Sequence, residues 1–73
     1  MAHNEVSPLT RQVRDQLEEL MQINGLGLRE LGRAADVSAS TVRRVLELQQ
    51  VPSVDLVYKL FRAMNVEPTF VFD

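Results

Sequence analysis

Arg29, Arg33, Arg43 and Arg44 stand within one short stretch that also holds Ser38, Ser40 and Thr41. Guanidinium groups interleaved with hydroxyls suit contact with phosphates and with the polar edges of bases. Other chemistry is poorly supplied. The chain has no cysteine and a single histidine, His3, in a polar setting without ligand partners, so thiolate chemistry is excluded and neither metal nor cofactor is expected. Glu18 and Glu19 are adjacent, which turns them ~100° apart on a helix, and no nucleophile stands beside a base. Gly25-Leu26-Gly27 lacks the lysine and the length of a phosphate loop. An enzyme is not expected.

The formal net charge is −2, which taken alone disfavours a polyanionic ligand. Its distribution reverses that inference. Between Leu28 and Leu46 the four arginines face only Glu30 and Asp36, a local excess of two positive charges. The remainder holds Arg11, Arg14, Lys59 and Arg62 against Glu5, Asp15, Glu18, Glu19, Glu47, Asp55, Glu67 and Asp73, an excess of four negative ones. Positive charge is gathered in the middle of the chain.

The elements that must position these arginines follow from apolar spacing. Seventy-three residues, 45% hydrophobic and 25% charged, suffice for one globular domain. Met1 to Val6 reads as a flexible leader, and Ser7-Pro8 supplies an N-cap hydroxyl followed by a proline at the first helical position. From there a helix is predicted to about Ile23, with Leu9, Val13, Leu17, Leu20 and Met21 inward and Arg11, Arg14, Asp15, Glu18 and Gln22 outward. Asn24-Gly25-Leu26-Gly27 ends it. A short helix over Leu28 to Ala35 turns Leu31 and Ala35 inward and Arg29, Glu30 and Arg33 outward, and its small Gly32, Ala34 and Ala35 let another helix approach closely. Asp36-Val37-Ser38 makes a turn and caps a third helix to about Leu48, whose inner side is Val42, Val45 and Leu46 and whose outer arc is Ser40, Arg43, Arg44 and Glu47. After a loop over Gln49 to Pro52, Ser53 caps a fourth helix to about Asn65, with Val54, Val57, Leu60, Phe61 and Met64 inward. Thr69-Phe70-Val71-Phe72 reads as one short strand. No apolar run approaches the ~18 residues of a membrane span, and the N-terminal residues lack a secretory pattern, so a cytoplasmic protein is expected.

Two short helices joined by a tight turn, the second apolar on one side and polar on the other, are what a major-groove reader requires. The run from Leu28 to Val45, with Leu31, Gly32, Ala35, Val37, Ser38, Val42 and Val45 in register, resembles the lambda Cro and CI repressor family, the XRE type. Val51-Pro52-Ser53 and Leu60 to Val66 continue the resemblance, which covers roughly Leu9 to Val66. The sequence departs from that family at Leu28, where glutamine is usual, at Asp36, where glycine is usual, and at Ala39, where a long polar side chain is usual. An arginine–glutamate pair common in the family is replaced by Met21 and Leu46; exchanging both charges for apolar groups keeps the packing intact. The Phe70 and Phe72 ending resembles the HipB-like antitoxins, whose C-terminal strand pairs across a dimer.

This resemblance implies an all-α, four-helix, Cro/CI-type helix-turn-helix domain over residues 7–66, with residues 67–73 as a dimerisation strand through Thr69, Phe70, Val71 and Phe72. It implies a homodimeric transcriptional repressor on a palindromic DNA operator, autoregulatory, with a toxin protein as a further candidate partner. The alternative is a module whose main partner is another protein. Base reading is expected from Ala39, Ser40, Arg43, Arg44 and Glu47, and phosphate contact from Arg29, Arg33, Ser38 and Thr41. Several of these have competing uses: Ser38 can serve its own helix as a cap, Ser40 can simply face water, Ala39 can touch a thymine methyl or do nothing, and Arg43 and Arg44 can be solvated surface.

Overall fold

Serine hydroxyls open three of the four helices in the computed structural model, which describes residues 7–67. Ser7 caps α1 (Pro8–Asn24), Ser38 caps α3 (Ala39–Leu46) and Ser53 caps α4 (Val54–Arg62), each Oγ accepting from the backbone N–H three residues on, at 3.0–3.1 Å. The remaining helix, α2 (Leu28–Ala35), follows Gly27, whose N–H donates to Glu30 Oε1 at 3.0 Å. Unmet donors at each helix start are thereby satisfied within one turn of chain.

The helix ends share a second device. Gly25, Asp36, Leu48 and Asn65 take left-handed backbone angles, with φ of 65°, 62°, 59° and 63°. The next residue in each case donates back across the last turn: Leu26 to Met21, Val37 to Gly32, Gln49 to Arg44 and Val66 to Phe61, at 2.8–3.0 Å. This is the Schellman arrangement, which reverses chain direction while filling otherwise unpaired carbonyls. Only one of the four positions is glycine, so the other three carry a steric cost. Asp36 also places an anion at a helix C-terminus, the unfavourable end of the dipole. Asp36→Gly is therefore expected to raise stability by about 0.5–1 kcal/mol in chemical denaturation. A fall instead would show that the Asp36 side chain itself holds the turn.

The apolar faces meet in one core of Leu17, Met21, Leu31, Ala35, Val42, Val45, Val57, Leu60, Phe61 and Met64, with Val13, Leu20, Leu28 and Leu46 packed against it. Helices α2 and α3 pack together, α4 closes on α2, and α1 lies against both α3 and α4. Leu17, Leu31 and Val42 are wholly inaccessible, and burying a leucine contributes ~1.5–3 kcal/mol.

Some expectations change. Leu9 and Val54, assigned inward by periodicity, are 57% and 64% exposed; each lies in the first turn of its helix, beyond the reach of the packed core. Helix α3 ends at Leu46 rather than Leu48, because Leu48 turns into the left-handed region. Similarly, α4 gives way to a turn after Arg62. Arg14 is half-buried rather than fully outward, and its Nη1 donates to the Leu46 carbonyl at 3.2 Å. The leader over Met1 to Val6 and the strand over Thr69 to Phe72 lie outside the described residues. Among the described residues no helix is long and apolar enough to cross a membrane.

Candidate nucleic-acid interface

The turn between α2 and α3 is set by contact between two backbone segments. An ideal Cβ on Gly32 would stand 2.7 Å from the Val37 carbonyl oxygen and 3.3 Å from the Ala39 nitrogen. Glycine is required here for space, since what approaches is main chain that has little freedom to retreat. Sequence spacing anticipated a close neighbour for Gly32 but pointed to a helix; the neighbour is the turn itself. Val37 donates to the Gly32 carbonyl at 2.8 Å, and the Ser38 cap follows at once. Together these fix where α3 begins and the angle at which it leaves α2.

On α3 the inner side holds Val42 and Val45, both buried, with Leu46 half-buried beside them. Ser40, Arg43, Arg44 and Glu47 are all exposed, and Ala39 and Thr41 are half-buried at the flanks. At ~100° per residue the four exposed side chains share one arc. Glu47 sits just beyond the last helical residue, so it stands at the C-terminal end of that face.

The two arginines of this arc differ in attachment. Arg44 Nε donates to Gln50 Oε1 at 3.1 Å, and its Nη2 lies 3.4 Å from Thr41 Oγ1. Its guanidinium is held along the helix, with other donors left over. Arg43 makes no hydrogen bond or ion pair among the described residues, and the same holds for the exposed Arg29 and Arg33 on α2. Among the described residues nothing neutralises those three exposed cations. Ser38 is exposed, but its Oγ accepts from the Thr41 N–H and lies 2.8 Å from Thr41 Oγ1. Gln50 was missed by sequence reasoning, although a polar side chain directly after the helix was the available signal.

A shallow open depression of about 150 Å³ lies where the start of α2 meets the first turn of α3, lined by Leu28, Ala39, Ser40 and Arg43. The structure thus brings Ala39, Ser40 and Arg43 together around one hollow. Leu28, absent from the predicted site, joins them. Among the described residues no group of His, Cys, Asp and Glu side chains is arranged to hold a metal.

A family model described as helix-turn-helix matches residues 17–71, which span all of α2, α3 and α4. The chain belongs to the XRE-type helix-turn-helix family. No curated protein and no solved structure matches it. XRE-type domains form a DNA-binding regulatory family, and this chain is a DNA-binding transcription regulator by family. The all-α, four-helix Cro/CI architecture expected from the resemblance is what the described residues adopt.

Proposed function

We propose that the protein is a sequence-specific repressor that binds a palindromic operator as a homodimer and acts on its own promoter. The observation that carries this reading is the exposed Arg43 on the outer arc of α3, without a hydrogen-bond or ion-pair partner among the described residues, on a helix whose opposite side is buried. In this reading Ala39, Ser40, Arg43, Arg44 and Glu47 meet base edges, with Arg43 foremost. Arg29 and Arg33 meet phosphates as α2 crosses the backbone. Thr41 and Ser38 join them at the start of α3, the Ser38 hydroxyl while also capping its helix.

A dimer suits the charge. With a net −2, one subunit gains little from general attraction to phosphate, whereas linking two heads multiplies affinity without new contacts. The residues assigned to the link, Thr69 to Phe72, lie outside those described. A toxin protein as a further partner is supported by the resemblance of the Phe70 and Phe72 ending alone.

Selection from a random duplex pool tests the reading. The expected result is an enriched inverted repeat with half-sites about ten base pairs apart, one turn of DNA. A lone asymmetric site would overturn the dimer, and failure to enrich any sequence would overturn specific DNA binding.

The phosphate assignment has its own signature. Replacing Arg29 and Arg33 together with alanine is expected to weaken operator and random DNA alike. The slope of log affinity against log salt should flatten by roughly 0.9 per lost contact. Fluorescence anisotropy across a salt series measures this, and an unchanged slope would place the backbone contacts elsewhere.

A further inference from the structure

We propose that the depression between α2 and α3 is a seat for the 5-methyl group of thymine, so that each half-site carries a T·A pair at that position. This rests on the reading of α3 as the helix in the groove, and it adds the identity of a base that the helix takes.

The lining has two characters. Leu28 and Ala39 are half-buried and apolar, and Leu28 is braced against the core behind it. Ser40 and Arg43 stand exposed on the same rim. A hollow needs ~10–15 Å³ of space open to a water-sized sphere to hold one water, so about 150 Å³ admits a methyl group together with part of the ring that bears it.

In the major groove thymine alone among the bases presents a methyl, with the O4 acceptor beside it. The methyl matches Leu28 and Ala39, and O4 matches the hydroxyl of Ser40 or the guanidinium of Arg43. Cytosine lacks the methyl and replaces O4 with an amino donor. That donor would lose water against Leu28 while facing a second donor in Arg43, so cytosine is disfavoured twice. Purines present only polar edges. A long side chain at position 39 would fill the hollow, so its emptiness depends on Ala39.

The test leaves the intact protein unchanged and alters the DNA. In the operator obtained by selection, each thymine of the half-site is replaced in turn by deoxyuridine, which removes only the methyl, and affinity is measured at fixed salt. One position per half-site should lose about fourfold per subunit, the worth of one buried methyl group, and cytosine there should cost more. Ala39→Gln, with folding checked by circular dichroism, should abolish the difference between thymine and uracil at that position. Uniform indifference to uracil would overturn the methyl seat while leaving specific DNA binding standing. Full uracil sensitivity in Ala39→Gln would likewise remove the seat from this depression. If no sequence is enriched in the first place, the reading of α3 fails, and the seat with it.

Discussion

Replacing Arg43 with alanine is expected to weaken binding to the selected operator by about 1–3 kcal/mol per half-site, roughly five- to 150-fold, and to relax base preference at one position of each half-site. The size of the effect follows from attachment. Arg44 is already committed to Gln50 and Thr41, whereas Arg43 has no described partner to forfeit, so its fork is available for acceptors on base edges. Arg43→Lys separates charge from geometry. Lysine keeps the positive charge but not the fork, so the salt slope should match that of the parent while base preference stays relaxed. Equal affinity of a folded Arg43→Ala protein for the operator would remove Arg43 from base reading.

Gly32→Ala is expected to lower the melting temperature by roughly 10 °C. Alanine favours a helix interior over glycine by ~1 kcal/mol, so on an open surface the change would stabilise. Here the new methyl meets the Val37 carbonyl oxygen at 2.7 Å. Overpacking costs ~1–3 kcal/mol or more, with backbone at the upper end, which leaves a net loss of about 2 kcal/mol. At ~4–8 °C per kcal/mol for a domain of this size, the shift is readily seen by thermal unfolding. DNA affinity should fall further than the unfolded fraction explains, because the only relief is to spread the turn and re-aim α3. A melting temperature equal to or above the parent's would show that the turn yields freely.

Periodicity placed the inner faces of the four helices well because each is amphipathic and each cap is local. Ser7, Ser38 and Ser53 were legible as starts for the same reason: a hydroxyl just before an apolar repeat has one economical use. The exposed positions of Arg29, Arg33, Arg43 and Arg44 followed from their spacing against Leu31, Val42 and Val45. What spacing could not convey was distance along a helix, so Leu9 and Val54 lie on the expected side but beyond cover. Contacts between residues remote in sequence were also invisible. The bond from Arg14 to the Leu46 carbonyl joins α1 to the far end of α3, and nothing local to either residue announces it. The left-handed turn at Leu48 was missed because leucine carries no signal for that geometry, unlike Gly25 or Asn65. Leu28 became part of the candidate site only once α2 and α3 were set side by side.

Among the described residues every helix boundary is closed by bonds spanning no more than about six residues, through Ser7, Glu30, Ser38 and Ser53 at the starts and the four left-handed residues at the ends. Boundaries so local need little of the chain to find itself across long loops, and helical domains with that property fold within microseconds to milliseconds. Synthesis of seventy-three residues, at ~5–20 residues per second, occupies several seconds. The delay between starting these residues and having them folded is therefore set by the ribosome and not by the search for the fold.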